Sequence, residues 1–460
     1  MAFVFYDTET TGVDTNFDQI LQFGAIKTDG DMNELDRFEV RCRLMPHVVP
    51  SPKALQVTRI TPSMLIDPAI PTYFEAIQLI HKKMSEWSPA TFFGYNSINF
   101  DENLMRQAFY QTLHPMYLTN TGGNSRGDVL NMMHAAYIFA PNVIAVPLND
   151  AGNPTFKLDI LAPANGFSHQ SAHEAISDVE ATIYMFKLMK DRALDVWHNM
   201  LNNTSKQNVT HFINENNSFA GANIYFGKKQ SWSLAPCGTN PNYNAEFAMF
   251  DLSYLPEDYI DLTVDDLINL INQRDSPIRI MKSNSQPILL NTELAPSITI
   301  FNNLPQGEIE RRIMEIRKNP DFKKRIGLAL AGRYSDFESS KYVEKKIFEG
   351  FFSEDDINIM AKFQRGDWEE RLVLARQLQD LRAREMARRL IYFERPELIT
   401  KSVRGELDNW MSDRLLTQDP DVPWRTMPKA IKEANELLKN ASKDETVFIN
   451  SVKEFIAGLG

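Results

Sequence analysis

The sequence has few cysteines and lacks a long apolar run. Cys42 and Cys237 are the only cysteines among 460 residues, too few for a disulfide framework and without zinc-site spacing. No apolar stretch approaches the roughly 20 residues that a membrane-spanning helix needs. The first residues do not resemble a signal peptide, because Asp7 and Glu9 follow a very short apolar segment. We therefore expect a protein of the reducing cytoplasm with no membrane association.

Positive charge is also scarce, mainly at the start of the chain. The formal net charge is −11 at pH 7. Residues 1–195 hold 14 Lys and Arg against 22 Asp and Glu, a net charge of −8, which leaves −3 for all later residues. This balance argues against a protein that coats nucleic acid by bulk attraction. The excess of acidic residues in 1–195 is expected if some of them hold divalent cations, but an ordinary acidic surface would give the same charge.

The chain divides into three parts that differ in pattern. Residues 1–195 alternate predicted strands with helices, one beginning near Asp101 and one over 171–189, which is typical of an α/β domain. Residues 196–340 place Asn-rich loops between short strands, as in a small β-barrel or sandwich with helical inserts. Residues 341–460 are helical, and we expect their many arginines to form an exposed, salt-bridged face. The predicted strands are residues 3–6, 20–26, 91–95, 223–226 and 247–250.

A pair of acids ends the first predicted strand. Asp7 and Glu9 are two positions apart, so on a strand both carboxylates point to the same face. Adjacent carboxylates repel, which raises one pKa unless a cation lies between them. Most such pairs are solvent-exposed strand ends. Here an apolar strand precedes the acids and a Gly turn follows, which favours a site at a strand terminus of an α/β sheet.

Two later segments add acids and a histidine. Asp101 stands where a helix begins, a position at which aspartate usually serves as an N-cap. His173 and Asp178 lie on a helix that a capping box of Ser171 and Glu174 would start. Each of these residues alone would be an ordinary surface residue.

Together these residues meet one chemical need. Phosphodiester hydrolysis by two metals requires ions about 3.5–4 Å apart, and Asp7, Glu9, Asp101 and Asp178 offer four negative charges for two dications. Mg²⁺ prefers such oxygen ligands. His173 supplies a base of near-neutral pKa that can deprotonate the attacking water.

The ordered set Asp7-X-Glu9, Asp101 and His173-X₄-Asp178 resembles the DEDDh exonucleases, whose fold is related to ribonuclease H. Longer segments resemble the bacterial exodeoxyribonuclease I family over nearly the whole chain. The resemblance implies a ribonuclease H-like α/β exonuclease domain with a mixed sheet over 1–195. An SH3-like β-barrel domain over 196–340 and an α-helical C-terminal domain over 341–460 would follow. The matching segments are residues 94–101, 124–128, 156–158, 164–166, 231–233 and 351–353.

That family resemblance also implies an activity. The chain would be a 3′-to-5′ exonuclease that degrades single-stranded DNA to 5′-mononucleotides in DNA repair and recombination, processively if its domains form a C-shaped clamp. Asp7, Glu9 and Asp178 would hold two Mg²⁺ ions, for which Mn²⁺ can substitute. Asp101 would complete the acidic set, and His173 would be the general base. The residues expected to bind substrate are Glu9, Arg106, Tyr117, Arg126, His134, Lys157, Gly166, Lys206, Asn244, Arg279 and Asn284.

The implied partners are single-stranded DNA and the C-terminal tail of single-stranded-DNA-binding protein, and the implied state is a monomer. Three positions depart from a known member of the family. Lys157 and His134 stand where that member has arginine, and lysine keeps the charge without the bidentate fork. Gly127 stands where it has an aromatic residue, which removes a possible stacking surface.

Three alternatives remain at this level. Another DEDDh enzyme, such as a proofreading subunit or an oligoribonuclease, would normally end soon after the Asp178 helix. A catalytically silent nucleic-acid-binding protein would be free to lose the acids and His173. The third alternative is an unrelated α/β protein with chance motifs.

Overall fold

The computed structural model describes residues 2–168, 174–225, 227–294, 304–334 and 338–459. Its strands form two five-stranded sheets, one early and one in the middle of the chain. Among these residues, no helix is long and apolar enough to cross a membrane. The strands are β1 Phe3–Thr10, β2 Ile20–Thr28, β3 Glu34–Arg41, β4 Thr91–Gly94, β5 Ser125–Asp128, β6 Phe219–Tyr225, β7 Lys228–Thr239, β8 Glu246–Asp251, β9 Ile278–Lys282 and β10 Leu289–Leu290.

Helices surround the first sheet, pack on the second and form the last part of the chain. Those before β6 are α1 Pro52–Thr58, α2 Pro62–Leu65, α3 Tyr73–Trp87, α4 Asp101–Gln111, α5 Val129–Phe139, α6 Leu158–Ala164, α7 Ala175–Arg192, α8 Leu194–Asn202 and α9 Lys206–Glu215. Those after β8 are α10 Val264–Ile271, α11 Gln306–Arg317, α12 Pro320–Gly332, α13 Glu354–Arg365, α14 Trp368–Gln377, α15 Leu381–Glu394, α16 Lys401–Leu416, α17 Met427–Leu437 and α18 Lys443–Ala457.

The first sheet has the strand order β3-β2-β1-β4-β5. Strands β1, β2 and β3 are antiparallel, whereas β1, β4 and β5 run parallel, so the predicted mixed sheet is confirmed. Alternate side chains of β1 enter two different cores. Phe3 and Phe5 pack with helices α5 and α7 on one face, and Val4 and Tyr6 pack with α3 and α4 on the other.

The second sheet is antiparallel and has the order β10-β6-β7-β8-β9. Helices α10, α11 and α12 cover one side of it with a core of aliphatic residues and Phe322. The predicted strand at 247–250 lies within β8, and the one at 223–226 lies in β6 apart from Phe226, which is outside the described residues. An SH3-like barrel and domain boundaries at 195 and 340 stay predictions.

The last part of the chain is helical, as predicted, and packs on the first part through apolar clusters, one of which groups Phe17 with Val422 and Trp424. Another cluster joins Phe74 and Tyr110 to α13 and α15; a third joins the α1 region to α17 and α18. The prediction that the arginines here are exposed is wrong for Arg371 and Arg382, which are 8% and 9% exposed. Their guanidinium groups lie over aromatic rings at 4.4 and 4.7 Å, where the aliphatic stems also become buried.

Candidate active site

Strand β1 changes from apolar to acidic along one face. Phe3, Phe5, Asp7 and Glu9 share that face because side chains alternate along a strand. The two acids therefore point towards α7, the helix that covers Phe3 and Phe5. Each of Asp7, Glu9 and Asp178 has a carboxylate oxygen within 4.8 Å of the others. The structure thus brings together three of the four predicted acids in one cluster.

A glycine on β2 allows α7 to approach this cluster. Gly24 pairs with Asp7 across the strands. A Cβ built on Gly24 would lie 2.8 Å from the backbone nitrogen of Ile176 and 2.9 Å from the carbonyl carbon of Ala175. A larger residue would push the start of α7 away from the sheet. Gly24 therefore helps to place Asp178 beside β1.

Helix α7 begins later than predicted. Its first residue is Ala175, and Glu174 is the N-cap in an extended conformation, with φ −112° and ψ 121°. The predicted start at Ser171 and the capping box with Glu174 are therefore wrong, because an extended residue cannot occupy the third helical position. The Glu174 carbonyl instead accepts bonds from the amides of Ser177 and Asp178 at 2.8 and 3.1 Å. Ser171 and His173 lie outside the described residues.

The opposite face of β1 holds α4. Asp101 is the first residue of α4, whose N-cap is Phe100, so the helix prediction is confirmed and the N-cap alternative is wrong. The Thr8 hydroxyl, between the two acids of β1, donates to Asp101 Oδ1 at 2.5 Å. Asp101 is buried and next to the cluster, although it is not one of the three acids whose oxygens converge.

Burial and mutual repulsion raise the pKa values of these acids. Burial, and then the charges of Asp178 and Asp101, raise the pKa of Glu9 to about 9. Burial raises the pKa of Asp7 well above its usual value, and the charges of Asp101, Asp178 and Glu9 add to the effect. Burial also raises the pKa of Asp101 to about 7, against the hydrogen bond from Thr8. Such crowded carboxyl groups fit a divalent cation, which compensates their charge and accepts hard oxygen ligands.

A buried acid that we did not single out supports the loop before Asp101. Asp128, at the end of β5, accepts hydrogen bonds from the amides of Asn96 and Ile98 at 2.8 and 3.2 Å. Asn96 has a positive φ of 61°, which such bonds help to hold. The Asp128 amide in turn donates to Gln286 Oε1 at 2.6 Å, so the second sheet region braces this loop. The available signal was the matching segment 124–128, which ends at Asp128.

Several residues that the resemblance assigns to DNA lie in contacting pairs. The Arg106 guanidinium lies 5.2 Å from the centre of the Tyr117 ring. The Lys206 ammonium donates to Asn244 Oδ1 at 2.9 Å. Both pairs place a cation beside a group that can stack on or hydrogen-bond to a nucleotide, as single-strand binding requires.

Two further pairs involve the second sheet. Arg126 donates to the Asn284 carbonyl at 3.2 Å, which links the two sheet regions. Arg279 lies 4.9 Å from the Trp232 ring centre and 3.9 Å from Asp251. The Arg279–Trp232 contact combines a cation with an aromatic platform. The predicted residues in these pairs therefore lie between α4 and the loop after β9, and the partner Trp232 lies on β7.

The remaining predicted contacts differ in character. His134 packs edge-on against Phe156 at 4.6 Å, and burial lowers the pKa of His134 to about 4. Its ring is neutral at pH 7 and brings no charge to a phosphate. Lys157 is exposed at the N-terminus of α6. Gly166 has a φ of +100°, which favours glycine.

The glycine at 127 has a packing explanation. A Cβ on Gly127 would lie 2.2 Å from Phe93 Cε1 and 2.9 Å from Thr204 Cγ2. The Phe93 ring is fully buried and fills the space that a larger residue at 127 would need. A side chain at this position would enter the core, so glycine at 127 does not remove an exposed stacking surface.

Comparison with known proteins agrees with this arrangement. The exonuclease family model (RNase_T) matches residues 4–186. Exodeoxyribonuclease I of Escherichia coli strain K12 is 28% identical over 376 residues, which cover 77% of this chain and 77% of that protein.

Two solved structures share the fold over the full chain. The crystal structure of E. coli exonuclease I in complex with a dA16 oligonucleotide has a TM-score of 0.86 at 22% identity, covering 100% of both chains. The zinc-ion-bound form of the E. coli enzyme with single-stranded DNA has a TM-score of 0.86 at 21% identity, covering 100% of this chain and 99% of that one. Residues 4–186 thus match the exonuclease family, and the whole chain is similar in sequence and in fold to exodeoxyribonuclease I.

Proposed function

We propose that this protein removes nucleotides from the 3′ end of single-stranded DNA and releases 5′-mononucleotides. The observation that carries the proposal is the convergence of Asp7, Glu9 and Asp178, with oxygens within 4.8 Å, beside buried Asp101. The pairs Arg106–Tyr117 and Arg279–Trp232 each place a cation on an aromatic ring. Single-strand binding uses this combination of charge and stacking surface. Its relatives crystallise with single-stranded oligonucleotides, which supports the choice of substrate.

The acids would hold the metal, and the histidine would act on water. Asp7, Glu9 and Asp178 are the proposed ligands of two Mg²⁺ ions, and Asp101 completes the negative set. When bound, two such ions stabilise the attacking and leaving oxygens of an in-line displacement. His173, close in sequence to the start of α7, is the proposed base that removes a proton from the attacking water. Mn²⁺ has the same preference for oxygen ligands and is expected to substitute.

The residues that the family resemblance assigns to DNA would orient the strand. Arg106, Arg126 and Arg279 supply charge for phosphates, and Lys157 supplies an exposed point charge without a fork. His134 is neutral, so it can contribute to DNA binding through its shape and hydrogen bonds but not through charge. We therefore expect weaker phosphate binding near residues 134 and 157 than an arginine at each position would give.

The predicted biological setting belongs to the same proposal. We propose three domains with boundaries near 195 and 340, a monomeric state, a cytoplasmic location and docking of the acidic tail of single-stranded-DNA-binding protein. Both cysteines are buried free thiols, which suits a reducing compartment. A clamp of three domains around the strand would make digestion processive.

The test is digestion of a 5′-labelled oligodeoxynucleotide with Mg²⁺ and with EDTA. We expect labelled products shortened from the 3′ end with Mg²⁺ and intact substrate in EDTA, because uncompensated carboxylates repel both substrate and nucleophile. A labelled mononucleotide at the earliest times, or turnover in chelator, would contradict the proposal. A matched oligoribonucleotide separates the alternative RNA-directed activity, since faster cleavage of RNA would favour it.

A change at His173 tests the proposed base. We expect His173→Ala to slow single-turnover hydrolysis about 10²–10³-fold, while the Mg²⁺ concentration for half-maximal rate stays unchanged. His198→Ala, on α8, is the control and should retain the wild-type rate. An unchanged rate in His173→Ala would assign the proton transfer to another group.

A further inference from the structure

Glu102, the neighbour of Asp101, is a buried acid surrounded by donors. Its side chain is 3% exposed. Oε2 accepts the Tyr6 hydroxyl at 3.0 Å. Oε1 accepts Arg106 at 3.2 Å and Arg126 at 3.0 Å, and also the Thr119 hydroxyl. Protein donors therefore use both carboxylate oxygens.

This arrangement separates Glu102 from the metal-binding cluster. Asp101 takes its hydrogen bond from Thr8, whereas Glu102 takes one from Tyr6, two positions earlier on the same face of β1. Glu102 is not among the acids whose oxygens converge. Two guanidinium groups on one carboxylate leave one surplus positive charge, which suits a polyanion.

The two arginines are fixed in different ways. The Arg106 side chain is 10% exposed and lies on the Tyr117 ring; among the described residues, its Nε has no hydrogen-bond partner. The Arg126 side chain, 14% exposed, spans from Glu102 to the Asn284 carbonyl. The Asn284 amide then donates to the Tyr243 hydroxyl at 3.0 Å. Glu102 therefore accepts hydrogen bonds from both arginines.

We infer that Glu102 is a positioning residue that fixes Arg106 and Arg126 in the orientation needed to bind the phosphates of single-stranded DNA. This inference rests on the proposed function. An arginine held by a carboxylate loses little rotamer freedom when a phosphate arrives, because its planar fork is already oriented. Without Glu102, the guanidinium groups of Arg106 and Arg126 would repel each other and separate. DNA binding would then be weaker, because both side chains would have to be ordered when the strand binds.

The test compares Glu102→Gln with the wild type in binding and in turnover. Glutamine keeps the shape and removes the charge. In EDTA, we expect the dissociation constant of a fluorescent 5′-labelled oligothymidine to rise about tenfold, which is about 1.4 kcal/mol. At saturating DNA, kcat should stay within about twofold and the Mg²⁺ requirement should not move, because the residue does not touch the reacting atoms. Glu86→Gln, at an exposed site, is the control.

A double-mutant cycle distinguishes positioning from a general structural role. In an Arg106→Ala, Arg126→Ala background, adding Glu102→Gln should weaken binding by less than about twofold, since its targets are gone. A further tenfold loss there would overturn the inference, as would an unchanged dissociation constant in Glu102→Gln alone. A reduced kcat with a higher Mg²⁺ requirement would place Glu102 in the metal site instead.

Failure of the proposed function and misfolding of Glu102→Gln can both be recognised separately from failure of this inference. A wild type that neither binds nor digests single strands refutes the proposed function itself. If Glu102→Gln does not fold, judged by its thermal melt, Glu102→Asp keeps the charge but withdraws the oxygens by one methylene. Glu102→Asp should raise the dissociation constant by less than the tenfold expected for Glu102→Gln. A dissociation constant equal to that of the wild type would overturn the inference.

Discussion

Asp178→Asn is expected to reduce hydrolysis of single-stranded DNA by about 10³-fold or more. Asparagine has almost the same size, so the change removes charge without creating a cavity. Asp178 shares the cluster with Asp7 and Glu9, and losing one of three converging carboxylates removes a proposed ligand and one negative charge that compensates a dication. Asp7→Asn should give a loss of the same order.

The measurement is the single-turnover rate on a 5′-labelled oligonucleotide at saturating Mg²⁺. Asp191→Asn is the matched control, because Asp191 is an exposed acid on the same helix, α7. Both variants should melt within a few degrees of the wild type without metal. DNA binding in EDTA should be equal or tighter for Asp178→Asn, since a charge that repels phosphate is gone. A rate for Asp178→Asn close to that of the wild type would show that Asp178 is not required for hydrolysis.

The acidic set was predictable because strand geometry is local. Two residues two positions apart on a strand share a face whatever surrounds them, so Asp7 and Glu9 needed no tertiary information. Asp178 was grouped with them because four carboxylates suit two dications, and the family resemblance supported that grouping. The local sequence does not show that α7 covers this face of β1. Thr8, between the two acids, was overlooked because nothing in its local sequence shows that it faces α4 and bonds to Asp101.

The errors in the prediction arise where packing overrides local signals. The sequence around Ser171 and Glu174 matches a capping box, yet α7 begins at Ala175, where Gly24 admits the helix to the sheet. Glu102 shows the same limit. Nothing in its local sequence identifies its role, because its partners Arg126 and Tyr6 lie 24 and 96 positions away in the chain.

Metal binding should stabilise the protein more at high pH than at low pH. The raised pKa values of Glu9, about 9, and Asp101, about 7, mean that the metal-free folded state keeps protons that the unfolded chain has released. Stability therefore falls as the pH rises from the unfolded value near 4.5 towards 9, because the folded state must then hold unpaired charges. Bound dications replace those protons and remove the penalty.

The expected result is a rise in Tm of about 5 °C on adding saturating Mg²⁺ at pH 8.5, and a clearly smaller rise at pH 6. Protons compete with the metal at the lower pH, since each ligand must be deprotonated to bind. Differential scanning calorimetry of wild type and of an Asp7→Asn, Asp178→Asn variant measures both shifts in the same buffers. The variant should lose the Mg²⁺-dependent shift at either pH, because too few carboxylates remain to hold the ions. An equal or larger Mg²⁺ effect at pH 6 would show that metal binding to the cluster does not displace protons, which would contradict the prediction.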